Sequence, residues 1–329
     1  MPIRRRSVLL GALSAPPLAL PWAAGAQPTA WRPERSIRAI VPFAVGGLAD
    51  LMARMASEPA SAILGQPIVI ENRTGGAAGL IGTDAVAKAA PDGHTILVNS
   101  SAHAIAPALV ARMPYDAARD FAGIALLGRG PMVLVGHPGL PARTLAELVA
   151  LLRANPMRHN YAAAGIGSTV HLTGEVFRAA AEVEIQFVHY RGGGPALQAV
   201  MAGEAQITAV STAEAVPQLR GGTIRAFAVS VPERSPILPE VPTSIEGGVP
   251  RFQQDIWIVA AAPARTPPEI VTALNAAYSE ALRRIEPRMA ELGLQVPRAV
   301  GTPAQVDAFL RGEMERYAAV LRAAGVKPE

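Results

Sequence analysis

Short apolar runs alternate with alanine-rich stretches along the chain from Trp31 onward. The runs are rich in valine and isoleucine and have the length of buried strands, whereas the stretches between them, about ten to fifteen residues long, have helical spacing. This alternation is typical of βαβ units, so it predicts an α/β fold of mainly parallel sheets flanked by helices. The predicted strands are Ile37–Val41, Ile68–Ile70, Thr95–Val98, Ile124–Leu127, Met132–Val135, Ile185–Val188, Ile207–Val210, Ile224–Val229 and Ile256–Val259.

Several predicted helices carry a capping box at their start, in which two residues three positions apart cap each other's backbone N–H groups. The pairs with this spacing are Thr144 with Glu147, Thr266 with Glu269, and Thr302 with Gln305. Pro59 lies inside the first predicted helix, Asp50–Leu64, and is expected to kink or shorten it.

The last third of the chain is predicted to be almost entirely helical, with helices over Pro267–Ile285 and Pro303–Ala324. Helices in this position commonly return to cover a sheet formed earlier in the chain. We therefore expect a discontinuous first domain of residues 27–128 and 250–329, with residues 129–249 inserted as a second domain. The return between the domains is expected in the interval 228–257.

The N-terminus has the pattern of a signal peptide. Arg4, Arg5 and Arg6 precede an apolar stretch, and Ala24-Gly25-Ala26 has the small-x-small form of a cleavage site, so residues 1–26 are predicted to direct export to the periplasm. The adjacent arginines permit the twin-arginine route as well as the general secretory route.

Composition narrows the function classes. The chain has 50% hydrophobic residues and only 17% charged ones, which suits packed cores, and it has no cysteine, which excludes disulfides and thiolate sites. The net charge of +4 falls to about +1 once residues 1–26, with their three arginines, are removed. No basic stripe remains, so nucleic acid is not expected as a partner.

The loop between the first predicted strand and helix is the main candidate for ligand binding. In parallel α/β sheets, ligands bind at such strand–loop–helix corners, and a helix start offers free N–H groups to an anion. Gly46 and Gly47 would let the backbone approach a ligand closely, and a positive φ is expected at Gly47. An ordinary tight turn is the alternative interpretation. Similar corners recur at Ser100-Ser101 and at Gly165–Ser168, and none of them is a nucleotide-binding motif.

A series of short motifs runs through the chain in a fixed order. They are Pro42-Phe43 with Gly46-Gly47 and Asp50, Gly65-Gln66-Pro67 with Glu71-Asn72-Arg73, Pro91-Asp92-Gly93, Ser100-Ser101, Asn160-Tyr161, Gly167-Ser168 with His171-Leu172, Tyr190-Arg191-Gly192-Gly193, Pro239-Glu240-Val241-Pro242-Thr243 and Gly301-Thr302-Pro303. In these motifs the chain resembles the substrate-binding proteins of tripartite tricarboxylate transporters, called Bug proteins, along essentially its whole length after the leader. The resemblance implies a two-domain periplasmic-binding-protein fold, type II-like, with a ligand cleft between the domains.

The resemblance also implies the ligand and the residues that bind it. The ligand is expected to be a small carboxylate that the protein delivers to membrane subunits of the transporter. The implied binding residues are Phe43, Gly46, Gly47, Asp50, Ser100, Ser101, His103, Gly167, Ser168, Thr169, Tyr190 and Ser211. Asp50 either has a structural role at the helix start, where the dipole favours an acid, or interacts with the ligand.

Two departures from the family pattern bear on this site. Leu48 and Ala49 replace residues that often carry hydroxyl groups, so the first loop is expected to bind mainly through N–H groups. Ser211-Thr212 stand where many relatives carry Asp or Ala, and the lack of an acid there favours a ligand without an amine.

The expected protein is a monomeric binding protein that performs no chemistry and needs no cofactor or metal. His103, His171 and His189 match no metal-ligand spacing, and Ser168 lacks the surroundings of a nucleophile elbow. Two alternatives remain open: an exported α/β hydrolase or isomerase that uses the same cleft, and a binding protein that serves a sensor kinase.

Overall fold

The structure is a computed structural model that describes Met1, residues 31–323, Val326 and Pro328. The chain divides into two units, residues 1–30 and residues 31–329. The predicted signal peptide, apart from Met1, lies outside the described residues. Along the described part of the chain, no helix has the length and apolar character needed to cross a membrane.

Strands and helices alternate along the second unit as the apolar pattern predicts. The strands are β1 (Ile37–Val41), β2 (Ile68–Asn72), β3 (Thr95–Ser100), β4 (Phe121–Gly136), β5 (Asn160–Ala163), β6 (Gln186–His189), β7 (Ile207–Ser211), β8 (Arg225–Val229) and β9 (Asp255–Pro263). The helices are α1 (Leu48–Leu64), α2 (Leu80–Ala87), α3 (Ala102–Leu109), α4 (Leu145–Ala154), α5 (Thr169–Ala181), α6 (Gly193–Met201), α7 (Thr212–Arg220), α8 (Pro268–Glu291) and α9 (Pro303–Ala323).

The strands form one sheet with two parts that meet at β4. In the first part the order is β2-β1-β3-β9-β4, with β1 parallel to β2 and β3, and β9 antiparallel to β3 and β4. In the second part β4 pairs antiparallel with β7 and β8, while β5 pairs parallel with β6 and β7. The carboxyl ends of β1, β3 and β5 lead into loops that place the candidate binding residues.

Strand β4 joins two strands that the sequence pattern separates, Ile124–Leu127 and Met132–Val135. Its residues 121–131 pair with β9, and its residues 132–136 pair with β7. Pro131 lies at this change of partner, where a residue without a backbone N–H is tolerated. The chain therefore passes from the first part of the sheet to the second without leaving the strand.

The C-terminal helices return to the first part of the sheet, as expected from the sequence. Helix α8 packs against α1, where the hydroxyl oxygens of Ser57 and Tyr278 are 3.0 Å apart. Helix α9 packs against α3 and β4, and its Glu313 accepts a hydrogen bond of 2.8 Å from the fully buried indole N–H of Trp257 on β9.

The structure tests three predictions about α1 and α8. Helix α1 continues past Pro59 to Leu64, so the proline does not shorten it; buried residues beyond the proline hold the last turn in place. Helix α8 likewise continues past its predicted end at Ile285 and through the exposed Pro287, because Met289 beyond it is buried.

The third prediction concerns the start of α8. Pro267 is the N-cap residue there, and no side chain caps the helix. The hydroxyl of Thr266 has no hydrogen-bond partner, so the predicted capping box with Glu269 is wrong. The boxes of Thr144 with Glu147 and of Thr302 with Gln305 are confirmed, since the reciprocal hydrogen bonds are present at both.

Candidate functional site

A small cavity of about 40 Å³ lies where the two parts of the sheet face each other. Helices α1, α5 and α6 all begin at this cavity, and their first N–H groups have no partner within their own helices. The lining residues are Phe43, Gly47, Leu48, Ala49, Ser100, Met132, Ala164, Ser168, Thr169, Val170, Gly193, Glu214 and Ile256. The cavity thus combines apolar walls with hydroxyl groups and the positive ends of helices.

Direct contacts around the cavity join the two parts of the sheet. The hydroxyl oxygens of Ser101, after β3, and Thr169, at the start of α5, are 2.7 Å apart. The backbone N–H of Ala44 donates to the carbonyl of Arg191 over 3.2 Å. A Cβ added at Gly194 would lie only 2.9 Å from the carbonyl oxygen of Val45, so a glycine is required for this close approach.

The predicted residues divide into those at the cavity and those beside it. Phe43, Gly47, Ser100, Ser168 and Thr169 line the cavity. Ser101 is fully buried and does not line the cavity, but its hydroxyl is within hydrogen-bond distance of Thr169, which does. Tyr190 lines a neighbouring cavity of about 530 Å³. Phe43 and Ala164 border both spaces.

The two glycines of the first loop differ in conformation. Gly46 has a φ of 93°, and its N–H donates to the Asp50 carboxylate over 3.2 Å. Gly47, the N-cap residue of α1, has a φ of −86°, so the positive φ predicted for Gly47 is wrong. The carboxylate of Asp50 holds Gly46 in the left-handed region, and the chain reaches Gly47 in an ordinary extended conformation.

Gly167 fits closely against the first part of the sheet. Its φ is 74°, and an added Cβ would lie 3.1 Å from the side chains of both Ala78 and Val110. Its N–H donates to Nδ1 of His171 over 3.2 Å. Gly167 therefore sets the distance between α5 and the loops of the first part.

Asp50 is buried and does not line the cavity. Its carboxylate accepts hydrogen bonds from Arg54, from Asn72 and from the N–H of Gly46. Burial raises its pKa, but the hydrogen bonds from Arg54, Asn72 and Gly46 outweigh burial and hold the pKa below its ordinary value. These contacts fit a structural role for Asp50 at the start of α1 rather than an interaction with the ligand.

His103 lies in the core of the first part rather than at the cavity. It is fully buried, its ring packs edge-on against Phe121 at 4.8 Å, and its Nε2 lies 3.2 Å from the carbonyl of Ala117. Burial lowers its pKa to about 4, so the ring is neutral at physiological pH.

Ser211 forms a capping box with Glu214 at the start of α7 and does not line the cavity itself. Glu214 does line it, and this residue is absent from the sequence-based candidates. The S-x-x-E spacing of Ser211 and Glu214 was the signal in the sequence that could have revealed it. An acid therefore borders the cavity three residues after Ser211, which removes the basis for expecting a ligand without an amine.

Ser168 is positioned as a helix cap. Its Oγ accepts a hydrogen bond from the N–H of His171 over 3.1 Å. The ring of His171 faces the N–H of Gly167 through Nδ1 and the carboxylate of Glu175 through Nε2, at 3.7 Å. Its ring nitrogens therefore have partners other than the Ser168 hydroxyl.

Other features of the described residues lie apart from this cavity. A groove of about 490 Å³ runs along Arg129–Pro131 and Ser230–Pro236 and contains none of the predicted binding residues. Residues 31–323, together with Met1, Val326 and Pro328, contain no group of three or more His, Asp or Glu residues that could hold a metal ion.

Comparison with known proteins settles the family. The model of the tripartite tricarboxylate transporter family receptor, TctC, matches residues 52–326. The chain belongs to this receptor family. The match begins after the first loop, so the placement of Phe43 and Gly47 at the cavity rests on the geometry described above.

Three solved structures extend the comparison. MatC from Rhodopseudomonas palustris, with bound malate, is 36% identical, has a TM-score of 0.85, and is matched over 99% of its length by 88% of this chain. A second R. palustris protein, with adipate, is 33% identical, with a TM-score of 0.86 and coverage of 90% of this chain and 99% of its own. The periplasmic binding protein BugD is 32% identical, with a TM-score of 0.86 and coverage of 90% and 100%. The TctC receptor therefore has the two-domain periplasmic-binding-protein fold, and the resemblance seen in the sequence is confirmed.

Proposed function

We propose that this TctC receptor is a periplasmic solute-binding protein that captures a small organic acid in the cavity and delivers it to membrane subunits of a tripartite tricarboxylate transporter. The observation that carries the proposal is the convergence of the starts of α1, α5 and α6 on one cavity. Helix N-termini favour anions, and their N–H groups bind carboxylate oxygens. The malate and adipate held by two related proteins are of this chemical class.

Hydroxyl groups support the same ligand class. Ser100 and Thr169 face the cavity from the two parts of the sheet, and their hydroxyl oxygens are 3.4 Å apart. Leu48 and Ala49 contribute only backbone and apolar surface, so the first loop would bind through backbone N–H groups. The N–H groups of Gly46 and Leu48 already interact with the carboxylates of Asp50 and Glu214, which leaves those of Gly47 and Ala49 for the ligand.

Capture requires the cavity to open. The two parts would move about the segments that join them, which are the middle of β4 and the chain between β8 and β9. The moving bodies would be the two domains expected from the sequence, residues 27–128 with 250–329 and residues 129–249. Export would require the signal peptide, and the intact mass of the periplasmic protein should match a chain that begins at Gln27 or within a few residues of it.

The proposed function predicts that the protein binds a small acid and does not convert it. The acid that copurifies with the protein tests both statements. Native mass spectrometry of protein purified from the periplasm should show a bound small acid, and calorimetry with that acid should give micromolar affinity, about −8 kcal/mol. The acid should be recovered unchanged after long incubation. Conversion of the acid would favour the hydrolase or isomerase alternative. Uptake that persists without the membrane subunits would favour the sensor alternative.

A further inference from the structure

Glu214 places a carboxylate in the wall of the cavity, between the starts of two helices. Its Oε2 accepts hydrogen bonds from the N–H and Oγ of Ser211, at 3.0 and 2.6 Å. Its Oε1 lies 3.0 Å from the position of a Cβ added at Gly193 and 3.9 Å from one added at Gly47. The N–H of Leu48 also interacts with the carboxylate. Oε1 therefore faces the loops that would receive the ligand.

We propose that Glu214 determines which class of acid this receptor prefers: the ligand carries a nitrogen donor, an amino or amide group, beside its carboxylate, and Glu214 accepts the hydrogen bond from that donor. This inference rests on the proposed function and assigns a specificity to the same cavity. It places the ligand in a different class from malate and adipate, which contain no nitrogen.

Helix capping alone does not explain an acid at this position. The described residues include other pairs of the same kind, in which Glu147, Glu246 and Gln305 occupy the equivalent position and are exposed to solvent. Gln305 caps α9 with a neutral amide oxygen, so a charge is not needed for the cap. A glutamine would serve equally at residue 214, whereas the observed residue brings a charge into the cavity wall.

The charge of Glu214 is not neutralised within the described part of the protein. Burial raises its pKa, and only the Ser211 side chain and N–H and the Leu48 N–H oppose this effect; no lysine, arginine or histidine contributes. A partly buried carboxylate without a cationic partner is unfavourable and is characteristic of functional sites. An ammonium or amide N–H of the ligand would supply the missing partner.

A dicarboxylate without a nitrogen donor would bring a second negative charge close to Glu214. The helix starts that attract its carboxylate already face the carboxylate of Glu214, and two like charges at short distance disfavour each other's ionised form. The ligand's second carboxylate would therefore have to avoid Oε1, or Glu214 would have to be protonated. A nitrogen donor removes this conflict, because it can donate to Oε1, which accepts no hydrogen bond from Ser211.

Calorimetry with matched pairs of acids tests the inference. Each pair differs only in an amino group: succinate with aspartate, glutarate with glutamate, and adipate with 2-aminoadipate. The wild type should bind the amino member of at least one pair about tenfold or more tightly, since a hydrogen bond to a charged group has this magnitude. Glu214→Gln should lose about tenfold for that amino acid and should retain or gain affinity for the plain acid. Glu147→Gln, the same change at an exposed capping box, should alter neither.

The outcomes separate the inference from the proposed function. Equal affinity for both members of every pair, unchanged in Glu214→Gln, would overturn the role of Glu214 while carboxylate binding stands. A gain for plain acids in Glu214→Gln, without any preference for the amino members in the wild type, would make Glu214 a repulsive group only and would also overturn the inference. Absence of binding by the folded wild type to every acid in the panel would instead count against the proposed function. The melting temperature of Glu214→Gln checks that the cap is retained.

Discussion

At the scale of single residues, two acids beside the first loop differ in what neutralises them. Asp50 is matched by Arg54 and Asn72 inside the same part of the sheet, so its charge is already used in holding the loop. Glu214 comes from the other part, and among the described residues its partners are a hydroxyl and N–H groups. From the sequence, Asp50 is an implied binding residue whose structural role stays open, and Glu214 is not a candidate. The role of each acid is decided by side-chain partners that sequence spacing only partly reveals.

Asp50→Asn should therefore affect stability more than binding. The variant loses charge-assisted hydrogen bonds, and because Arg54 is half exposed we expect a loss of only about 1–2 kcal/mol in the free energy of unfolding at neutral pH. The lowered pKa of Asp50 means that this contribution is present above the ordinary carboxyl pKa and is lost as the pH falls through the folded-state pKa. Urea unfolding across the acid range should show the two proteins converging. A loss of about tenfold or more in ligand affinity would show that Asp50 contacts the ligand after all.

His103 gives a second prediction at this scale. The unfolded chain takes up a proton near pH 6.5, but the folded protein holds His103 neutral down to a pKa of about 4, so acidification in this interval favours unfolding. His103→Gln keeps a donor for the carbonyl of Ala117 and removes the titration. Its stability should fall less steeply than that of the wild type between pH 6.5 and 4. His159, whose pKa burial also lowers, should keep part of the slope in both proteins. Identical slopes would show that His103 is not held neutral.

At the scale of elements, local signals predict helices better than the short strand beside the site. The boxes at Thr144 and Thr302 are readable because their side chains bond only to their own helix start. Strand β5, Asn160–Ala163, has neither alternation nor β-branched residues and exists because β6 and β7 pair with it. Helix α6 begins at Gly193 although glycine has low helix propensity, because a glycine there allows close contact with the first loop.

The start of α1 can be tested by filling the space in front of it. A Cβ at Gly47 would lie 3.7 Å from the backbone nitrogen of Gly193, which is an ordinary contact, and the φ of −86° accepts any residue. Gly47→Ala should therefore fold normally, whereas the γ-methyl groups of Gly47→Val would enter the cavity and separate α1 from α6. We expect the affinity of Gly47→Val to fall by about tenfold or more, with a much smaller change in stability.

The control for this pair is Gly312→Val in α9, where an added Cβ meets nothing within 4 Å. It should bind the ligand as the wild type does. Calorimetry of the three variants decides the matter, and wild-type affinity in Gly47→Val would exclude the first loop from the binding site.

At the scale of the whole molecule, the sequence predicts the return of the C-terminal helices but not the way the two parts of the sheet are joined. The apolar pattern is interrupted at Gly128, Gly130 and Pro131, which suggests two strands, yet pairing with β9 and β7 carries β4 through the interruption. The cavity depends on this joint, since its walls come from loops that are far apart in the chain. Contacts such as those of Ser101 with Thr169 and of Leu48 with Glu214 join residues far apart in the chain and have no local signal.

The proposed opening of the cavity can be tested with a disulfide between the two parts of the sheet. The chain has no cysteine, so Ser101→Cys with Thr169→Cys introduces a single possible pair, at positions whose hydroxyl oxygens are 2.7 Å apart in the structure. The wild type should become more compact in solution scattering when the acid is added, and a hundredfold excess over Kd should stabilise it by about 2.7 kcal/mol. The reduced double variant should also become more compact, at a higher acid concentration that compensates for the lost Thr169 hydroxyl. The oxidised double variant should be compact from the start, should not change with ligand, and should exchange bound ligand far more slowly. Ser101→Cys alone, under the same oxidising conditions, should behave as the wild type. Compaction that is absent in the wild type, or ligand exchange that is equally fast in the oxidised and reduced double variants, would mean that binding does not proceed through opening and closing of the two domains.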